Sequence, residues 1–232
     1  MHNSGTTVLA GCLHQAGLFL ACNTSRNESH FFSIHVNDEL IMGGGDNWAK
    51  LPILSVDEVL SHRERVGGYI LRQWRDDYMQ WGYDGCSRWG IKDARICVLL
   101  PLYLELFPGA KILFIRRDPD DIAASLSHRE KKGVGIRNDE AHWRQLTEAH
   151  FARVREYGQA RADFYEISYE ELCRQPAQVA PGMFEFLEME YTAAIESNFQ
   201  KRLRTDRIGT KAWSAVKWRL GAIRKGLRVM FE

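Results

Sequence analysis

Two short segments carry the residue types that hold phosphate or sulfate: Asn3-Ser4-Gly5-Thr6-Thr7, and far downstream the run Arg117-Asp118-Pro119-Asp120-Asp121-Ile122-Ala123-Ala124-Ser125. The first is a small turn with hydroxyl residues opening an apolar helix. Such a helix start carries a partial positive charge and N–H donors that no helical carbonyl takes up, so it suits an anion. Taken alone, the turn reads equally well as an ordinary helix start with Ser4 as its N-cap. In the second segment, Arg117 offers a guanidinium that can donate two parallel charge-assisted hydrogen bonds to one anionic group. Its bland alternative is an ion pair with Asp120 or Asp121. The turn is not a Walker A loop, because Thr6 follows Gly5 where that pattern requires a lysine for the β- and γ-phosphates. A protein that handles no γ-phosphate can do without both that lysine and its magnesium.

Together the two segments resemble the nucleotide-binding patterns of the sulfotransferases that use 3'-phosphoadenosine 5'-phosphosulfate (PAPS), in particular bacterial members. In that family a Lys/Arg-Ser-Gly-Thr-Thr turn grips the 5'-phosphosulfate. A strand ending in Arg, followed eight residues later by a helical Ser, grips the 3'-phosphate, and Arg117 and Ser125 have that spacing. Trp89-Gly90-Ile91-Lys92-Asp93-Ala94-Arg95, Tyr169-Glu170-Glu171-Leu172 and Arg207-Ile208-Gly209 with Trp213 are similar as well, so the resemblance runs in order along nearly the whole chain. It implies PAPS as sulfuryl donor, no metal, and nucleotide contacts from Asn3, Ser4, Gly5, Thr6, Thr7, Arg117 and Ser125. It further implies a loop with Arg207 and Gly209 that closes over the 3'-phosphate. That last segment reads equally as a plain helix–loop–helix junction.

Sulfuryl transfer should follow phosphoryl transfer, with an in-line displacement governed by positioning and charge stabilisation. Family members place Lys or Arg just before Ser-Gly-Thr to meet charge on the departing bridging oxygen; this chain has Asn3. An amide can donate there without a full charge. Lys92 is the candidate for the missing cation, and His2 a second, if a neighbouring anion raises its pKa. The alternative for Lys92 is an ion pair with Asp93 or another acid. For the general base, Ser33 stands where relatives tend to carry Glu, which leaves His30 as first candidate, with Glu28 and His35 beside it.

These residues need elements to position them. Lys111–Ile115, a short apolar run between Pro108-Gly109 and Asp118-Pro119, is predicted as a strand. Asp118 then caps a helix with Pro119 at its first position. Helices are predicted over Val56–Trp81 with a possible bend at Gly67-Gly68, and over Arg95–Leu106, Asp139–Tyr157, Pro176–Leu187 and Thr192–Arg204. Phe164–Ile167 and Arg88–Lys92 are the further strands, and Asn23–Leu51 is a long connecting stretch. Strands alternating with helices give an α/β class, a P-loop-like central parallel sheet flanked by helices. An apolar strand should precede the anion turn. Only Met1 and His2 stand there, so the first strand is expected to be short or missing, and the start truncated.

The 232 residues fit one domain, residues 1–232. A net charge of +1 gives no global field for nucleic acid. Cys12, Cys22, Cys86, Cys97 and Cys173 are odd in number and scattered, which argues against disulfides and zinc clusters and for a reducing, cytoplasmic setting. Val8–Ala21 is too short to span a bilayer and lacks a basic leader, so it reads as a buried first helix. Residues 211–231 form an amphipathic pattern with a basic face, suited to packing on the domain or to peripheral contact with an anionic membrane or polyanion. The reading is a PAPS-dependent sulfotransferase acting on a hydroxyl of a carbohydrate, lipid or small metabolite. Its rivals are a degenerate sulfotransferase fold that only binds nucleotide or a partner protein, and a small-molecule kinase.

Overall fold

The computed structural model describes residues 2–21, 28–42, 48–131 and 138–203. Helix α1, Thr6–Gln15, follows the anion turn directly. The chain then runs extended past Phe19, which bridges Trp89 in parallel, and enters a π-helix, Phe31–Asn37, continued by α2, Asp38–Met42. The polar stretch predicted as a connector therefore contains helix. Phe31, Phe32, Val36, Leu40 and Ile41 are buried while Ile34 is exposed, and burying that apolar face outweighs the polar residues between them.

Helix α3, Val56–Gln80, starts on a reciprocal capping box: the Glu58 N–H donates to Ser55 Oγ (3.2 Å) and the Ser55 N–H to Glu58 Oε2 (2.6 Å). It is unbroken at Gly67-Gly68. A Cβ on Gly67 would stand 3.0 Å from Leu106 Cδ2, so this glycine serves close packing on α4, Ile96–Leu106. Arg88–Lys92 does not join the main sheet. It is extended, with its single bridge to Phe19, and Trp89 stacks on Trp74 at 4.0 Å.

Strand β1, Ile112–Arg116, pairs in parallel with β2, Phe164–Ser168, in the register Ile112↔Phe164 to Arg116↔Ser168. The crossover consists of α5, Pro119–Lys131, and α6, Glu140–Gly158. Asp118 accepts the N–H of Asp120 (2.8 Å) and Asp121 (3.2 Å), and Asp139 that of His142 (2.7 Å), as N-caps of these two helices. Helices α7, Tyr169–Arg174, α8, Pro176–Phe186, and α9, Ala193–Arg202, follow.

The fold is α/β, mostly helical, with a short parallel pair as its sheet. Among the described residues no strand precedes α1, and β1 has a strand partner on one edge. The side of β1 nearest α1 borders a cavity of about 720 Å³ lined by Leu9, Leu13, Leu20, Ile91, Leu113 and Ile115, with Thr6 and Lys92 also on its wall. Around the sheet, one core joins α1 to α7–α9 and a second joins β1 to α4–α6 around Trp143. A third lies between the π-helix, α3 and α4. Among the described residues no helix is long and apolar enough to cross a membrane.

Gly158 ends α6 against the first residue of β2: a Cβ there would meet Phe164 Cδ2 at 2.5 Å, whereas one on Gly109 meets nothing within 4 Å. Overpacking of about 2–3 kcal/mol, the upper part of the usual range for so close a contact, set against about 1 kcal/mol of better helix propensity, leaves Gly158→Ala destabilised by roughly 1–2 kcal/mol. Thermal denaturation should show a fall of about 2–8 °C for Gly158→Ala and little change for Gly109→Ala. Equal melting temperatures would show that β2 does not press on α6 there.

Candidate functional site

The anion turn is held in a left-handed backbone. Asn3 has φ 61° and Gly5 has φ 99°, and Gly5 is the N-cap of α1. Ser4 is therefore not the cap; it is fully buried. Helical bonding begins with the N–H groups of Val8 (3.1 Å) and Leu9 (3.2 Å), both donating to the Gly5 carbonyl. The N–H groups of Thr6 and Thr7 precede these bonds at the positive end of the ten-residue helix, and the cap residue has no side chain to occupy them. Only glycine fits at position 5. A Cβ would strike Tyr169 Cδ2 at 2.3 Å, and the positive φ would strain any other residue.

The second segment folds onto the first. Arg117 follows the last residue of β1 and is 4 % exposed. Its Nη1 donates to the Asn3 carbonyl (2.9 Å), and its guanidinium lies over the Tyr169 ring, 5.2 Å from the centroid. From α5, Ser125 Oγ accepts from Asn3 Nδ2 at 3.3 Å. Asn3 thus touches both halves of the downstream pattern. The ion pair weighed as the alternative is also present, but long, with Arg117 Nη2 3.9 Å from Asp121 Oδ2. Arg116 points to the other side as strand alternation requires, and its Nε donates to Glu166 Oε1 (2.8 Å).

Tyr169-Glu170 supports both segments, a role the sequence left unassigned. The Tyr169 ring floors Gly5 and Arg117, while Glu170 Oε1 accepts the Asp118 N–H at 2.8 Å and fixes the start of α5. The signal was its place directly after β2, where a strand end meets the mouth of the fold.

Lys92 and Asp93, which share the cavity wall with Thr6, belong to a buried polar network. Lys92 Nζ is 3.5 Å from Glu28 Oε1, each side chain 11 % exposed, and Ser33 Oγ donates to Glu28 Oε2 at 3.4 Å. The backbone locks these segments together: the Ser29 N–H donates to the Lys92 carbonyl (3.0 Å) and the Lys92 N–H to Ser29 Oγ (3.0 Å). Lys92 pairs with Glu28, and Asp93 with Arg95 instead, at 2.6 and 2.9 Å. Arg95 also donates to the Ser33 carbonyl (2.9 Å) and to Asp38. Burial, reinforced by the Glu28 charge, pushes the Asp93 carboxyl up to about 6, against the hydrogen bond from the Arg95 N–H, which leaves it ionised at neutral pH.

Of the candidate bases, Glu28 faces Lys92, while His30 turns to α3, with Nδ1 3.5 Å from Asp77 Oδ2 and its ring 5.0 Å from that of Trp81. His35 lies beside His30, ring centroids 5.3 Å apart. Burial first, then positive charges that include Arg95 and Lys92, hold the His2 pKa well below its ordinary value. His2 is therefore neutral at pH 7. Arg207, Gly209 and the basic helix predicted over residues 211–231 lie outside the described residues.

Removing one partner of a buried ion pair strands the other charge and costs about 3–5 kcal/mol. Arg95→Ala should therefore lower the melting temperature by roughly 6–20 °C, and Arg95→Lys by less. A shift below about 2 °C for Arg95→Ala would mean the network does not tie the 28–38 segment to the 92–95 segment.

A search of curated proteins finds no match to this chain. A family model described as "Sulfotransferase family" matches residues 1–193. That span contains the anion turn, Glu28, Lys92, Arg117, Ser125 and Tyr169, and the chain belongs to the sulfotransferase family.

Proposed function

We propose that this protein transfers a sulfuryl group from PAPS to an acceptor hydroxyl. The observation that carries the reading is the double engagement of Asn3, whose carbonyl takes Arg117 and whose amide reaches Ser125. Two anion grips separated in sequence then serve one ligand with two separated anionic groups, which describes PAPS better than ATP. The donors present fit that ligand. The first turn of α1 with Thr6 and Thr7 suits the phosphosulfate arm, and Arg117 with Ser125 suits the 3'-phosphate. Bound there, PAPS supplies the sulfuryl group and leaves as 3',5'-ADP.

The chain's own residues have three tasks. The helix start and Arg117 hold and orient the donor, the entropic part of catalysis. Glu28 takes the acceptor proton as the new S–O bond forms and the bond to the bridging oxygen breaks. Lys92, 3.5 Å away, pairs with Glu28 and orients its carboxylate. Asn3 offers an amide donor, without a full charge, to the bridging oxygen. The acceptor is a hydroxyl on a carbohydrate, lipid or small metabolite; the near-zero net charge gives no reason to expect nucleic acid. Asn3 itself, in place of a basic residue, favours a second reading, a nucleotide-binding module without turnover. A kinase is disfavoured by the lack of a lysine in the turn.

PAPS consumption with a panel of hydroxyl acceptors, read as 3',5'-ADP release, separates these readings. Turnover should be measurable in the parent and fall by about 10²–10⁴-fold in Glu28→Gln. It should rise in Asn3→Lys, because the added charge acts on the transition state more than on the bound donor. Release of 3',5'-ADP that ignores Glu28→Gln would remove that residue from the mechanism. No release from either the parent or Asn3→Lys would favour the binding module.

A further inference from the structure

Away from the anion turn, His30, His35 and Asp77 offer one ligand atom each, all within 4.8 Å of one another. His30 and Asp77 are half-buried and His35 is exposed, so the trio has a protected side and an open one. Two of its polar atoms, His30 Nδ1 and Asp77 Oδ1, are buried and make no hydrogen bond. Such atoms are rare in folded proteins and ask for a ligand. The π-helix explains how the two histidines meet. In an α-helix, residues five apart diverge by about 140°. A π-helix closes its turn between i and i+5, and such turns recur at functional sites. His30 caps the π-helix Phe31–Asn37 and His35 lies within it, while Asp77 faces them from the last turns of α3. Trp81 packs on the His30 ring at 5.0 Å and limits its rotation.

We infer that His30, His35 and Asp77 bind one divalent transition-metal ion of the zinc class. Two imidazoles and a carboxylate form a nitrogen–oxygen set suited to such ions. Tetrahedral bonds of about 2.0–2.1 Å separate ligand atoms by roughly 3.3 Å. The pair His30 Nδ1–Asp77 Oδ2 is at 3.5 Å already, and the exposed His35 ring can close the remainder by rotating. The ion would clamp the π-helix to α3. Glu28 stands two residues before His30, and Ser33, which donates to Glu28, is inside the π-helix, so the clamp would steady the segment that carries the proposed base. The ion takes no part in sulfuryl transfer, and the site stands or falls independently of the donor assignment.

The test uses untagged, chelator-stripped full-length protein, titrated with Zn²⁺ by calorimetry and with Co²⁺ by visible absorption. The expected result is one equivalent bound at micromolar or tighter Kd, with a melting temperature that rises with metal concentration. Second-shell losses already cost about 10–100-fold in affinity, so His35→Ala and Asp77→Asn should each weaken binding by more than about 100-fold. Both should leave 3',5'-ADP affinity unchanged. Uptake that is equally tight in these variants would place the metal elsewhere, on Cys86 for example. No uptake below millimolar metal would reduce the trio to a His30–Asp77 ion pair. Either outcome overturns the inference.

Discussion

The Tyr169 ring packs against Gly5 on one side of the site and against the Arg117 guanidinium on the other, and the remaining geometry follows from that contact. Gly5 can lie on the ring only because it has no Cβ and adopts a positive φ, which sends the backbone from Asn3 directly into α1. Arg117 is held at the same ring and reaches the Asn3 carbonyl, so the end of β1 and the start of α1 are placed by one aromatic surface. β2 delivers that surface, because Tyr169 directly follows its last residue and β2 is registered on β1 over five residue pairs. The parallel pair is short, yet it fixes both Arg117 and Tyr169.

On the cavity wall that Thr6 shares with Lys92 and Asp93, charge is buried in pairs. Glu28 meets Lys92 and Asp93 meets Arg95, and each pair has hydrogen bonds that tie the 28–38 segment to the 92–95 segment. Buried ion pairs rarely add net stability over apolar residues of the same size, since desolvation offsets most of the attraction. What they supply here is position. Glu28 is held in place by a lysine from a distant segment, which a polar loop exposed to water could not achieve.

How much of this was legible in the sequence depended on how local each signal was. β1, β2 and the starts of α5 and α6 were readable from a few neighbouring residues: an apolar run between turns, Asp118 ahead of Pro119, Asp139 ahead of a periodic helix. The spacing of Arg117 and Ser125 singled out, for the same reason, two residues that both contact Asn3. The π-helix was not legible, because His30, Ser33, His35 and Asn37 dilute its apolar residues and a five-residue turn has no simple period. Glu28 ranked below His30 as a base because its burial depends on Lys92, 64 residues away, and His30 turns to Asp77 for equally distant reasons. Tyr169 was visible only as part of a motif, since its role lies in two contacts across the fold.

In the proposed reading, one ligand carrying two separated anions is held by the α1 turn and by Arg117 together. Calorimetric titration of 3',5'-ADP and 5'-AMP, in chelator, tests it most directly, with Arg117→Ala alongside. A charge-assisted contact to the 3'-phosphate contributes about 1.5–3 kcal/mol, so 3',5'-ADP should bind roughly 10- to 150-fold more tightly than 5'-AMP. Arg117→Ala should erase most of that difference while leaving 5'-AMP nearly untouched. Equal affinity of the parent for the two nucleotides would show that Arg117 does not read a 3'-phosphate.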